Sequence, residues 1–264
     1  MTAVRLRGEF CVGFATLLSC ISLLLLIFLH VGQINTSTIP RSIAMVKVNT
    51  SGYGATVSAF ILEDAKQLYT NNSAAPLDAG AGLRQVYGFG FYNYCAYVDD
   101  KSGICSNHTT AQRYTPYDII TSDMQFNYSF FSQSFIPDNT TFRSSKYLSE
   151  SSKAGYYLIL LGTICAALAL LTGIAKNNLT FFLSSIFSIS GTLLLLIGAS
   201  IWTTIIHKSE DINKVVYSLP GGSSTIPLGI TVAAGKGLYL TWGAFICMFL
   251  SIIPYVISCC TYRG

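Results

Sequence analysis

The chain has 264 residues, of which 51% are hydrophobic and 11% charged, with a formal net charge of +4 and a mean hydropathy of +0.50. A soluble globular domain carries about 25% charged residues, so this chain lacks the charge to coat a soluble particle, and most of its surface must face lipid. The apolar and aromatic content excludes a disordered chain, and the few cations form no cluster interleaved with aromatics, so nucleic acid is not an expected partner.

In chain order, residues 1–9 carry Arg5 and Arg7 and precede a first apolar run over 10–31. Three more runs follow at 154–175, 179–206 and 238–260, and none of the four contains Asp, Glu, Lys or Arg. Each is about 20 residues or longer, enough for a helix to cross a hydrocarbon core of about 30 Å. Unbroken apolar runs without period-two alternation predict helices rather than barrel strands. The first run is too long for the apolar core of a cleaved signal peptide and no Ala-x-Ala site follows, so it reads as a signal anchor.

The flanking charges set an expected orientation. Arg5 and Arg7 before the first span, Lys176 in the turn 176–178 and Arg263 in the tail 261–264 place both termini and that turn in the cytosol. The segments 32–153 and 207–237 then lie outside the cell. The larger one supports this by its sequons: six of its eight asparagines, Asn35, Asn49, Asn71, Asn107, Asn127 and Asn139, begin Asn-x-Ser/Thr, where chance predicts about two. Asn178 also begins a sequon but falls in the cytosolic turn and is expected to stay bare.

The large outer segment has apolar patterning of its own and should fold as a small mixed α/β domain. Ser42–Val48 alternates, with Ile43, Met45 and Lys47 on one face and Ala44, Val46 and Val48 on the other, which predicts a strand. Val57, Phe60, Ile61, Ala65 and Leu68 give Ala55–Tyr69 a helical spacing. Gln85–Val98 is rich in aromatic and β-branched residues and predicts a strand broken by Gly88 and Gly90, followed by a turn over Asp99–Gly103. The expected class is therefore an integral membrane protein, an all-α four-helix transmembrane bundle with a small mixed α/β extracellular domain.

Of eight cysteines, only Cys95 and Cys105 lie outside the spans and their ends. They flank the predicted turn, so in an oxidising compartment they should pair as a disulfide, the alternative being two free thiols. Cys11, Cys20, Cys165 and Cys247 read as small packing residues within spans. Cys259 and Cys260, at the inner end of the last span, read equally as palmitoylation sites and as ordinary interfacial cysteines.

No catalytic, cofactor-binding or metal-binding constellation stands out. The three histidines, His30, His108 and His207, are far apart in sequence, and no His-x-x-x-His, Cys-x-x-Cys or Glu-x-x-His spacing occurs. Asp99 and Asp100 belong to ordinary turn composition. The spans offer hydroxyls but no ionisable acid or base, so conduction through the bundle is not expected. Small-residue stripes mark helix contacts instead: Cys11, Ala15 and Ser19; Gly162 with Ala166 and Ala169 with Gly173; and Gly243, Cys247 and Ser251. Pro254 should kink the last span.

Two stretches carry a resemblance. Gly88-Phe-Gly-Phe-Tyr-Asn-Tyr-Cys95, an acidic turn and Cys105-Ser-Asn form one; Gly229-Ile-Thr-Val-Ala-Ala-Gly-Lys-Gly-Leu-Tyr-Leu-Thr-Trp-Gly-Ala244 forms the other. Together with the order of spans and loops, they resemble the fungal SUR/PalI family of claudin-like tetraspan proteins. That resemblance implies no enzyme and no cofactor. It implies a plasma-membrane protein of eisosome-associated furrow domains, linked to cell-wall integrity, sphingolipid balance and endocytosis. Implied partners are membrane lipids, sphingolipid or sterol among them, other membrane proteins such as a large transporter or synthase, and further copies of the chain. The alternative reading is an auxiliary or regulatory subunit of a membrane channel, a synthase or a pH-sensing complex. Two departures stand out. No tryptophan precedes the cysteine pair, where Phe91 and Tyr92 stand instead, and Asn93 occupies the position at which the related calcium-influx regulators have glycine.

Overall fold

The computed structural model describes residues 2–61, 65, 67–99, 101–175, 178–219 and 225–261, with side chains from residue 11 to residue 256 apart from Asn178. Its helices are α1 (Thr2–Val31), α2 (Thr38–Ser42), α3 (Tyr53–Ile61), α4 (Pro116–Asp123), α5 (Phe126–Phe135), α6 (Ser145–Ile174), α7 (Asn178–Ser209) and α8 (Lys236–Thr261). Its strands are β1 (Val46–Asn49), β2 (Val86–Phe89), β3 (Tyr94–Tyr97), β4 (Gly103–Cys105), β5 (Val216–Ser218), β6 (Thr225–Pro227) and β7 (Thr231–Ala234). The chain divides into two units, one of residues 1–30, 154–201 and 239–264, the other of 31–153 and 202–238.

The first unit holds the apolar helices. Four helices are long and apolar enough to cross a membrane, with candidate spans at Cys11–Val31, Ser145–Ile174, Leu179–Lys214 and Lys236–Val256. α6 and α7 extend beyond the apolar runs, because their polar turns at 145–153 and 207–209 continue the helix outside any hydrocarbon core. The expected small-residue stripes are buried in part: Ala15, Ser19, Ala166, Ala169 and Ser251 are fully buried, whereas Cys11, Gly243 and Cys247 are half-buried. A Cβ added to Gly162 would come within 2.8 Å of Leu195, and one added to Gly173 within 2.6 Å of the Tyr255 hydroxyl. Hydroxyls fasten these seams: Ser22 donates to the Ala244 carbonyl at 2.9 Å, Ser188 pairs with Ser251 at 2.7 Å, Thr172 with Ser184 at 2.8 Å and Ser19 with Tyr255 at 3.2 Å. Without a hydrophobic drive between helices in lipid, close backbone approach and hydrogen bonds of this kind supply the association energy. Cys11, Cys20, Cys165 and Cys247 are free thiols at half-buried positions. Pro254 lies inside α8.

The second unit is built on a five-stranded antiparallel sheet in the order β4-β3-β2-β1-β7, beside a separate β5-β6 hairpin. Three sequence expectations change here. The strand expected at Ser42–Val48 runs over Val46–Asn49: Val46 and Val48 point inward and Lys47 and Asn49 outward, as alternation requires. Ile43 and Met45 are buried as well, because they belong to the turn leaving α2 rather than to the strand. The helix expected over Ala55–Tyr69 occupies Tyr53–Ile61, and Tyr69 instead forms a parallel bridge with Leu83. The single broken strand at Gln85–Val98 is two strands, with Gly88 inside β2 opposite Cys95 and the chain reversing between Phe89 and Tyr94.

One edge of the sheet is β7, drawn from residues 207–237, which sequence patterning did not connect with residues 32–153. Its outer edge is covered by the Asn213 side chain, which accepts from the Val232 N–H at 2.7 Å and donates to the Val232 carbonyl at 2.9 Å. The amide thus occupies the hydrogen-bonding positions of a further strand and blunts the edge.

Candidate functional site: the disulfide-linked aromatic hairpin

The stretch 86–105 forms a three-stranded meander. Register sets Cys95 opposite Cys105, Ala96 opposite Ile104 and Tyr97 opposite Gly103, and Cys95 and Cys105 are joined by a disulfide. The acidic turn between them is held by Asp99, whose carboxylate accepts from the N–H groups of Lys101 and Ser102. Those donors hold the Asp99 carboxyl below the usual carboxylate range. Asp99 is thus a turn former, as the composition predicted; Asp100 lies outside the described residues.

Beneath the meander lies Gln33. It is fully buried, two residues past the end of α1, and sits at φ +58°. Its amide nitrogen donates to the carbonyls of Arg41 at 2.8 Å, Pro40 at 3.2 Å and Ile43 at 3.3 Å, and its amide oxygen accepts from the Tyr97 hydroxyl at 3.0 Å. A Cβ on Gly88 would meet that amide oxygen at 2.7 Å, and one on Gly90 would meet the Gly32 carbonyl at 2.7 Å. The Gly-x-Gly of the first signature is explained by this close approach: only hydrogen side chains leave room for Gln33 and its backbone. Burial pushes the Tyr97 hydroxyl up to about 12.

The second signature reaches the same sheet from the other side. The N–H of Gly235 donates to the Met45 carbonyl at 2.9 Å, and that of Gly237 to the Ala44 carbonyl at 2.8 Å. A Cβ on Gly235 would collide with the Ala44 backbone. β1 therefore lies between β2, which carries Gly88, and β7, which leads into Gly235. The two signature stretches, far apart in sequence, flank one strand.

A buried ion pair fixes the opposite end of β2. Arg84 and Asp123 are fully buried and meet at 2.7 Å. Asp123 also accepts from the Tyr87 hydroxyl at 2.8 Å and the Asp78 N–H at 2.8 Å, and Arg84 donates to the Ala75 carbonyl. Burial raises the Asp123 carboxyl while these donors pull it down. Breaking such a pair by removing one member leaves an uncompensated buried charge.

Aromatic side chains fill the face of the hairpin. Phe89 meets Tyr114 edge to face at 4.9 Å and stacks on Tyr94 at 5.9 Å, and Phe91 lies 5.9 Å from Trp202. Trp202 belongs to the last turns of α7 and is buried. The hairpin lacks a tryptophan of its own before the cysteines, but one reaches it from another element. Asn93 is buried and donates to the Ile34 carbonyl at 3.3 Å.

Gln33, Arg84, Asp123, Trp202 and Asn213 were not singled out by sequence reasoning. A lone amide two residues past an apolar span and a lone arginine just before an aromatic strand were the signals available for the first two. The six sequon asparagines are all exposed. Cys259, Cys260 and Asn178 lie outside the residues whose side chains are described. Among the described residues, no group of three or more His, Cys, Asp or Glu side chains is placed to hold a metal ion.

The sequence model of the SUR7/PalI family matches residues 11–254, a stretch that contains both signatures, the disulfide and the first three candidate spans, and all but the last two residues of the fourth. The chain belongs to the SUR7/PalI family. It is a multi-pass membrane protein of claudin-like tetraspan layout, and the SUR7/PalI match begins at Cys11 and ends at Pro254, spanning both structural units. No curated protein matches the chain.

Proposed function

We propose that the protein is a non-enzymatic organiser of the plasma membrane in fungal eisosome-associated domains, serving cell-wall integrity and endocytosis. In this reading both termini and the turn 176–178 are cytosolic, and segments 32–153 and 207–237 face the wall. The outer segment is glycosylated at several of Asn35, Asn49, Asn71, Asn107, Asn127 and Asn139. Cys259 and Cys260 then stand at the inner leaflet, where they serve either as palmitoylation sites or as ordinary interfacial cysteines. Its partners are lipids, including sphingolipid or sterol, other membrane proteins and further copies of itself.

The observation that carries this reading is how the polar groups in the bundle are used. The span hydroxyls of Ser22, Ser188, Thr172 and Ser19 are spent on helix seams, which suits a closely packed bundle rather than a permeation path. The outward resources of such a protein are its lipid-facing helices and its cross-linked outer domain.

Purification in mild detergent, with identification of whatever co-migrates, tests it. An organiser brings down lipid and several membrane proteins in variable ratio. A single large enzyme or channel at fixed stoichiometry contradicts the reading and makes the chain a dedicated subunit.

A further inference from the structure

Helix α5, Phe126–Phe135, contains no charged residue and presents an aromatic face to solvent: Phe126 is 82% exposed, Phe130 64% and Phe131 44%. Its other face is fixed inward through Ser132, which is fully buried and whose hydroxyl lies 2.6 Å from that of Tyr53. Scattered exposed apolar residues need no explanation, but three phenylalanines on one short helix outside the bundle do. The centre of this face is Asn127, itself exposed, which begins Asn127-Tyr128-Ser129. Positions i, i+3 and i+4 share a helix face, so Asn127, Phe130 and Phe131 stand together, with Phe126 beside them. The two rings already meet edge to face at 6.4 Å.

We propose that the exposed aromatic face of α5 is covered by the chain's own N-linked glycan, attached at Asn127, whose first N-acetylglucosamine lays its apolar C–H face on Phe130 and Phe131. The inference rests on the outer location of segment 32–153. The face has no charge with which to orient a protein partner. A glycan rooted at its centre would hold off both a bilayer and a second copy. The transfer uses a polyprenyl-diphosphate-linked oligosaccharide. The sugar C1–oxygen bond breaks, C1 bonds to the Asn127 amide nitrogen, and the amide proton leaves with the diphosphate leaving group. Of the six acceptors, Asn127 is the one set within a helix among exposed phenylalanines, so its glycan has a structural task where the others need only be solvated.

The test is site-resolved glycan mapping, together with hydrogen exchange of the peptide 126–135 in the full-length glycoprotein. An endoglycosidase that leaves one N-acetylglucosamine should leave exchange low. An amidase that removes the whole glycan should raise it about tenfold, the factor that about 1.4 kcal/mol represents. Ser129→Ala, which abolishes the acceptor sequence and keeps Asn127, should give the same rise. Asn71→Gln should give none, and Phe130→Ser with Phe131→Ser should erase the difference between glycosylated and bare protein. An occupied Asn127 whose removal leaves exchange unchanged overturns the proposal. A bare Asn127 alongside other occupied sequons also overturns it while the outer location stands. Six bare sequons would instead overturn the outer location on which it rests.

Discussion

Gln33 lies across Gly88 so closely that a single methyl group there would come within 2.7 Å of its amide oxygen. The two residues join the segment leaving α1 to the strand that leads to the disulfide. The Gln33 amide cannot simply swing aside, because three carbonyls and one hydroxyl hold it. Gly88→Ala should therefore destabilise the sheet-bearing unit by about 1–3 kcal/mol, the usual cost of overpacking. In a Gln33→Gly background the same change should cost less, giving a non-additive cycle. Thermal unfolding of the detergent-purified variants measures it; full additivity would mean that the two residues do not meet.

The Cys95–Cys105 disulfide closes a short loop. Chain-entropy arithmetic for about ten residues gives a benefit of about 3 kcal/mol. Cys95→Ser should lower the unfolding temperature and hold the protein back in the secretory pathway. Normal surface delivery of that variant, or alkylation of both thiols in native protein, would contradict the pairing.

The Arg84–Asp123 pair is buried on both sides. Asp123→Ala should cost about 3–5 kcal/mol, because the Arg84 guanidinium is left charged and unpaired. The triple change Arg84→Met, Asp123→Leu and Tyr87→Phe removes both buried charges and the phenol, though the Asp78 N–H, the Arg84 N–H and the Ala75 carbonyl lose partners, and it should recover part of that loss. Equal destabilisation by the single and triple variants would show that the pair supplies more than mutual compensation.

Burial pushes the hydroxyls of Tyr53 and Tyr97 from the ordinary 10.0 up to about 12. A raised folded-state value means that the neutral form is favoured in the fold. The resulting stability is fully present below pH 10 and is lost as pH climbs towards about 12. Absorbance titration at the phenolate band should show a late-titrating class that merges with the ordinary one on unfolding. A single transition near 10 in the folded protein would contradict the burial of these two rings.

The bundle was legible because four uncharged runs of sufficient length leave no other choice in lipid, and stripe residues such as Ala15, Ala166 and Ser251 are buried between helices. The disulfide was legible because its cysteines flank a turn whose residues announce it. The sheet was only half legible. Val46 and Val48 alternate, yet nothing in their sequence says that Thr231–Ala234, far along the chain, will pair with them. The break in Gln85–Val98 was placed at the glycines, but Gly88 is a ladder residue chosen for closeness to Gln33. Helices α4 and α5 were missed because their short polar-aromatic sequences lack a clean apolar stripe. Trp202 falls near the end of an apolar run, and nothing in that run says that its ring packs on Phe91.

As proposed, this member of the SUR7/PalI family organises membrane rather than serving one enzyme. Photobleaching of a fluorescently tagged full-length chain in its own cells tests it most directly. Static patches at the plasma membrane whose fluorescence fails to return after bleaching are expected of a membrane organiser. A uniform rim that refills by lateral diffusion would contradict it.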